Sequence, residues 1–429
     1  MRFEPVYIID GARSPFLKAR NAPGPFSASD LAVQTCRELL LRQRFAPTDL
    51  SEVITGCAAP SADEVNIGRL IGLRLGTGHA VPGWTVMRNC ASGMQALDSG
   101  IMSIQTGRSD LVLSIGVDAL SHAPLLLTDE LVHWLAKWNM SRGAGVRIKL
   151  LRQLKPKYFK PVIGLLKGLT DPTVGLSMGQ TAENLAHQFH ISRTQMDEYA
   201  LQSHLRAAHS TLASTEIIPL VDKAGTLYQQ DDGIRPDSSL EKLGQLRAVF
   251  DRPWGTITAG NSSQVSDGAA ALILASEQAV QRHNLQPIGR ILDLHWAGLD
   301  PATMGLGPVF AATPLLEKHG LALNDIDVWE INEAFAAQVL ACLAAWESEE
   351  WCQQHLQRSA LGTLDTSKHN IHGGAIALGH PVGASGARIV LHCLHTLREK
   401  RAKTGMAAIC IGGGQGGAVL LENLDEAST

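Results

Sequence analysis

The chain contains no apolar run long enough to span a membrane as a helix. It contains no close C-x-x-C pair, and its seven cysteines (36, 57, 90, 342, 352, 393 and 410) are scattered. That distribution argues against a zinc site and against a disulfide framework. In the glycine-rich run from His372 to Arg388, neither G-x-x-x-x-G-K-[ST] nor G-x-G-x-x-G with a following acid is present, so that run is not a phosphate loop of either common kind. The net charge is only −4, which argues against general affinity for nucleic acid. The opening Met1-Arg2-Phe3-Glu4-Pro5 has no basic n-region, long apolar core or cleavage site; a cytoplasmic location is the expectation. No metal site and no permanently bound cofactor are expected.

What is present is a large apolar fraction. Hydrophobic residues make up 45% of 429 and charged residues 18%, the composition of a globular protein with a sizeable core. The length predicts about three domain-sized units. Pro5 to Asp10, Val53-Ile54 and Leu111 to Ile115 read as buried strands. Between them, Ser27 to Arg44 reads as a helix with Ser29 or Asp30 as its cap, and Asn66 to Leu75 as a helix ending at Gly76. This alternation predicts an α/β unit. It breaks after about residue 120. Residues 121–250 carry helix signals, including the capping box Ser192 to Gln195. Alternation resumes at Ala269 and continues through Gly289 to Leu294, Val328 to Ile331, Glu333 to Trp346, Ala384 to Lys400, Met406 to Ile411 and Gly417 to Leu421. The prediction is two α/β halves with a helical insertion emerging from the first. The halves share a weak internal repeat: a helix, a glycine, then an apolar strand.

Chemistry concentrates at five places. In Asn89-Cys90-Ala91-Ser92-Gly93-Met94, a cysteine lies between the extended run Trp84 to Met87 and a helix marked by Met94, Leu97, Ile101 and Ile104. Free N–H groups at a helix start favour a thiolate, although the stretch alone also suits a buried cysteine at a tight turn. Thr258-Ala259-Gly260-Asn261-Ser262-Ser263 has side chains small enough for a ligand to approach the backbone, and it also reads as an ordinary turn. Asn332-Glu333-Ala334-Phe335 follows a strand. Its amide suits either a water or carbonyl oxygen, or a helix cap. The run from His372 to Arg388 sets His380 among glycines, open for acid–base work or oxyanion stabilisation. Cys410-Ile411-Gly412-Gly413-Gly414-Gln415 ends a strand in a glycine loop. Two cysteines, a histidine and an asparagine at strand ends suit acyl transfer through a thioester, with Cys90 as nucleophile, His380 as electrophilic or basic partner and Cys410 as proton donor.

Taken in order, N-C-A-S-G, T-A-G-N-S-S, N-E-A-F, G-G-A-I-A-L-G-H-P-x-G-A-S-G-A-R and C-x-G-G-G-Q-G resemble the thiolase family across nearly the whole chain. The resemblance implies two pseudo-symmetric α/β halves in a five-layered α-β-α-β-α arrangement. Residues 1–120 plus 251–285 would be the N-terminal half, 121–250 an inserted loop domain for coenzyme A and acyl binding, and 286–425 the C-terminal half. It implies that Cys90 carries the acyl group and Cys410 moves the proton. His380 and a water held by Asn332 would bind the thioester enolate oxygen. The N–H groups of Cys90 and Gly412 would bind the acyl oxygen. Coenzyme A contacts carry over to Ser263, Ala259, Gly260, Met178 and Arg235. Coenzyme A enters as a substrate. The implied activity is thiolytic cleavage of medium- or long-chain 3-ketoacyl-CoA in β-oxidation, with acetoacetyl-CoA formation as the biosynthetic alternative. A homodimer or tetramer and a hydratase/dehydrogenase partner subunit are further implications.

This sequence departs from the family pattern in two places. His372 stands where many members have Asn, and Ser177 where many short-chain biosynthetic members have His. The second departure points away from an acetoacetyl preference. Residues 131–170 hold nine Lys or Arg and no Asp or Glu, interleaved with Trp134, Trp138, Tyr158, Phe159 and leucines. Such a tract suits an anionic membrane surface, coenzyme A phosphates, a partner subunit or a solvated face over the active site.

Overall fold

A computed structural model describes residues 4–20 and 22–424. Met1 to Phe3, and the C-terminal boundary expected at 425, lie outside the described residues. Ten strands form one sheet path: β1 Val6–Arg13, β2 Leu17–Lys18, β3 Glu52–Gly56, β4 Gly83–Val86, β5 Leu111–Ala119, β6 Ser266–Ala275, β7 Gly289–Gly298, β8 Val328–Ile331, β9 Thr404–Ile411 and β10 Gln415–Asn423. Their order is β8-β9-β10-β7-β1-β6-β5-β3-β4, with β2 on β6.

The path contains one pattern twice. β3 and β5 are parallel, β6 is antiparallel to β5, and β1 is antiparallel to β6. Likewise β8 and β9 are parallel, β10 is antiparallel to β9, and β7 is antiparallel to β10. β1 joins the two sets through a short pairing of Val6 to Ile8 with Gly289 to Ile291.

The principal helices are α1 Ala28–Leu41, α2 Ile67–Leu75, α3 Ser92–Gln105, α4 Asp129–Met140, α5 Ala144–Leu151, α6 Met178–Gln188, α7 Arg193–His209, α8 Gly307–His319, α9 Ala336–Glu347 and α10 Val382–Lys400. Ser27 caps α1, rather than Ser29 or Asp30: its hydroxyl accepts from the Asp30 N–H. Gly76 closes α2 at φ 79°.

Strand alternation sorts the core into layers. On β6, Ala269, Ala271 and Ile273 join α1 and α2 in one cluster, while Ala270, Leu272 and Leu274 face α3 and α10 in another. On β9, Ala407, Ile409 and Ile411 share that central cluster, while Met406, Ala408 and Cys410 pack in a third with α6, α8 and α9. The sequence of layers is therefore helices, sheet, central helices α3 and α10, sheet, helices. The strands β3, β5, β6 and β8 are buried along their whole length, which is why they read as near-continuous apolar runs.

In the insertion, α4 and α5 hold together through Trp134, whose Nε1–H donates to the Leu150 carbonyl at 2.9 Å. Trp138 stacks on Trp134, and Arg147 lies over Trp138. Leu131 and Leu150 are buried, but Met140, Val146, Ile148, Leu151, Phe159 and Leu166 are exposed. Among the described residues no helix is long and apolar enough to cross a membrane.

Candidate active site

Cys90 lies in a single 3-10 turn, Asn89–Ala91, between β4 and α3. Asn89 takes a left-handed φ of 43°, and its amide donates to the Gly412 carbonyl at 2.8 Å. Arg88 completes the clamp: its guanidinium donates to Gln415 Oε1 at 2.8 Å and to Gln95 Oε1 at 2.7 Å, and it stacks over Trp296. The Cys90 turn and the loop after Cys410 are thereby fixed to each other across 320 residues of sequence.

His380 reaches the same place through helix packing. It precedes α10 as Cys90 precedes α3. The first turns of these helices meet at small residues: a Cβ on Gly93 would lie 2.7 Å from the Gly383 carbonyl, and one on Gly386 2.7 Å from the Met94 nitrogen. Any larger side chain at these contacts would push the two loops apart. Gln264 anchors the His380 backbone, its carbonyl accepting the His380 N–H at 2.9 Å. Ser263 donates its N–H to the Ala334 carbonyl at 2.9 Å, so the 258–263 turn lies against the 332–335 loop. Asn261 serves that turn structurally: its amide donates to Asp197 and its carbonyl oxygen accepts from the Thr258 N–H.

The electrostatics differ from the helix-terminus expectation at Cys90. Burial raises its thiol above the ordinary range, while N–H groups of Gly412 and of Cys90 itself, facing the sulfur, pull the other way. Desolvation is the larger of the two effects. Cys410 is raised further still, by burial and by the neighbouring Cys90. Both sulfurs are therefore thiols at rest near neutrality. Inactivation by iodoacetamide should accelerate with pH through and beyond 9; a plateau already reached at pH 7 would mean that the helix start dominates.

His380 is 8% exposed, and burial together with Arg388 lowers it to about 4, so its ring is neutral at pH 7. Its Nδ1 contacts the Ser385 hydroxyl at 2.6 Å, and its Nε2 is a buried atom with no protein partner. Asn332, fully buried, has the same signature: Oδ1 meets Arg388 Nη2 at 3.5 Å and Nδ2 has no partner. Two buried polar groups with one side held and the other free are a ready pair for a polar oxygen. The neighbouring Glu333 is saturated instead, accepting from Tyr199, Asn370, Ser203 and the Ile376 N–H. It ties α7 and the loop before His380 to the Asn332 strand end.

Among the sequence-selected coenzyme A contacts, Met178 lies against Gly412, its sulfur 3.1 Å from where a Cβ would stand. Gly260 packs against the side-chain ends of Leu243 and Leu246, and Ala259 is exposed beside it. Arg235 is exposed; burial, and after it the charge of Arg235, lowers Lys18 and His204. Ser177 caps α6 in a box with Gln180, and His372 pairs with Glu399 at 2.7 Å. Sequence reasoning missed Asn89, Ser385, Arg388 and Asp118. Asp118 is a buried carboxylate raised to about 6, and it accepts from Cys57, Ala58 and Ala59 and from the Gly383 N–H. The i, i+3 spacing of Ser385 and Arg388 on one helix was the available signal.

Comparison with known proteins agrees with the geometry. The model of the thiolase N-terminal domain matches residues 6–278, and that of the thiolase C-terminal domain matches residues 285–423. The human mitochondrial 3-ketoacyl-CoA thiolase is 37% identical over 425 residues, covering 97% of this chain and 98% of that protein. A β-ketoadipyl-CoA thiolase of Pseudomonas aeruginosa is 38% identical over 428 residues, covering 98% and 99%. A crystal structure of the human mitochondrial 3-ketoacyl-CoA thiolase in complex with CoA superposes with a TM-score of 0.83 at 36% identity, covering 98% of each chain. The acetyl-CoA acetyltransferase of Syntrophomonas wolfei superposes with a TM-score of 0.86 at 30% identity, covering 98% of this chain and all of the other.

Proposed function

The chain belongs to the thiolase family and is an acyltransferase, and on that premise we propose that it cleaves medium- or long-chain 3-ketoacyl-CoA by thiolysis in fatty-acid β-oxidation. The observation that carries the chemistry is the two buried, unpartnered nitrogens, His380 Nε2 and Asn332 Nδ2, in a fold that also brings Cys90 and Cys410 together.

The Cys90 thiol first loses its proton to solvent, and the resulting thiolate adds to the 3-keto carbon; solvent returns that proton when Cys90 is expelled at the end of the cycle. The C2–C3 bond breaks, and its electron pair becomes the enolate of acetyl-CoA. His380 and a water on Asn332 hold the enolate oxygen, and Cys410 delivers a proton to C2. Acetyl-CoA leaves, with the shortened acyl group on Cys90. The thiol of a second coenzyme A gives its proton to Cys410, attacks the acyl carbon and expels Cys90. The N–H groups of Cys90 and Gly412 hold the oxygen in that second step. A hydrogen-bond donor aimed at a developing oxyanion typically supplies about 100- to 1,000-fold in rate.

On the same reading, residues 121–250 receive the acyl chain and coenzyme A, with Met178 and Ser263 beside the pantetheine arm and Arg235 toward the nucleotide. Ser177 as a helix cap, in place of a histidine, supports a chain longer than acetoacetyl. The exposed apolar and basic face of α4 and α5 supports contact with an anionic membrane or a partner subunit at the acyl entrance. A homo-oligomer completes the reading.

Steady-state thiolysis across C4 to C16 3-ketoacyl-CoA and 3-oxoadipyl-CoA tests it. The expected kcat/KM rises from C4 toward C16 and is low for the dicarboxylic substrate. A maximum at C4 would establish the acetoacetyl alternative, and one at 3-oxoadipyl-CoA a dicarboxylic thiolase. Co-sedimentation with anionic vesicles, lost when four of the tract's Lys or Arg become Gln, is the expected membrane result; equal sedimentation would end that part of the reading.

A further inference from the structure

Helix α10 carries Ser385 and Arg388 three residues apart, on one face of its first two turns. Both are essentially buried. Ser385 Oγ lies 2.6 Å from His380 Nδ1 and 3.0 Å from the Pro381 carbonyl. Arg388 Nη2 lies 3.5 Å from Asn332 Oδ1, and its Nη1 lies 3.3 Å from Glu330. The contacts to His380 and Asn332 each fall on one side of a group whose other side has no protein partner.

A neutral imidazole carries one N–H, and the tautomer is set by what its other nitrogen binds. The Ser385 hydroxyl has one proton and two acceptors within reach. Given to Nδ1, the nearer, that proton leaves the ring N–H on Nε2, where it can donate to an oxyanion. Given to Pro381, it would leave Nε2 a bare lone pair, which repels an oxyanion. An amide has the same ambiguity between its oxygen and nitrogen. A guanidinium only donates, so Arg388 binds the Asn332 oxygen and leaves the NH₂ side turned to the site. Glu330 in turn holds the arginine.

We propose that Ser385 and Arg388 are positioning residues that fix the donor faces of His380 and Asn332, so that both present N–H groups to the thioester oxygen. The inference rests on the reading of those two residues as oxygen ligands. It accounts for why a serine and an arginine follow the histidine at this spacing, with small residues between them to admit α3.

The test separates the two chemical steps of the full-length enzyme. Exchange of the methyl protons of acetyl-CoA in D2O reports enolate formation. Exchange of labelled coenzyme A into an acyl-CoA reports acyl transfer through Cys90, for which the other oxyanion donors serve. Ser385→Ala should slow proton exchange and thiolysis kcat by about 10- to 100-fold, less than outright loss of a donor. KM and coenzyme A exchange should stay near wild type, which also shows that the variant is folded. Ser385→Thr should restore the rate. Arg388→Lys keeps the charge opposite Glu330 but loses the fork, and should lower kcat without raising KM. Nitrogen-15 spectra of histidine-labelled protein, with His380 assigned by difference from His380→Ala, should show the Nε2–H form in wild type and lose it in Ser385→Ala. Wild-type proton exchange in Ser385→Ala, or a wild-type Nδ1–H ring, overturns the inference while His380→Ala remains impaired. Full thiolysis in His380→Ala would instead overturn the role of His380 itself, and this inference with it.

Discussion

Cys90→Ser should lose thiolysis by at least about 10³-fold, with no acyl-enzyme trapped from labelled acyl-CoA. A hydroxyl in the same place is a far weaker nucleophile than a thiolate, and nothing described beside it supplies a strong base. His380 has its Nδ1 occupied by Ser385 and is lowered to about 4 by burial and Arg388, so it is a poor acceptor for an alcohol proton. The substitution exchanges one sulfur of a half-buried residue for an oxygen, and the Asn89–Gly412 and Arg88–Gln415 bonds that shape the turn are untouched. Thermal unfolding should therefore be close to wild type. Appreciable turnover in Cys90→Ser, with Cys90 the only change, would refute the acyl-enzyme route.

Cys410→Ser should behave differently. Cys410 is fully buried at the end of β9, beside Cys90 and at the edge of the Gly412 to Gly414 loop. Its proposed work is proton delivery to C2 and its return from coenzyme A. A serine hydroxyl holds its proton more tightly than a thiol, so the cleavage step should slow by roughly 10²- to 10⁴-fold, the usual range for a general acid. Acylation of Cys90 by an acyl-CoA lacking the 3-keto group needs no carbanion, and should continue as an acyl-enzyme burst in rapid-quench measurements. If Cys410→Ser lost the burst together with turnover, Cys410 would be a partner in activating Cys90 rather than the proton carrier.

These expectations began as patterns in the sequence, and some were legible to the residue. The spacing of Met94, Leu97, Ile101 and Ile104 placed a helix after Cys90, and α3 is there. The Ser192–Gln195 box opens α7. Other boundaries moved for specific reasons. The helix expected from Glu333 starts at Ala336, because Glu333 accepts hydrogen bonds from Tyr199, Asn370 and Ser203, more than a hundred residues away in two of the three cases. A local pattern does not contain that competition. The balance at Cys90 was illegible for the same reason: helix onset favours the thiolate, but the cover that desolvates the sulfur comes from distant loops. The roles of Ser385 and Arg388 depend on which side of His380 and Asn332 each touches, and spacing alone gives only their shared face.

The strand that joins the two sets of sheet pairings has one more consequence. Of the described strands β1 is synthesised before the others, yet Tyr7 pairs with Ala275 and Val6 with Ile291. At synthesis rates of about 5–20 residues per second, this apolar strand waits on the order of 15–50 s with both edges unpaired. Its partners close the longest loops in the sheet, so the halves join late, after much local structure has formed. The nascent chain thus exposes this apolar strand for roughly two thirds of the synthesis of the 429 residues. Variants that weaken β6 or β7 should lower yield through aggregation before they alter the catalytic rate of the molecules that do fold.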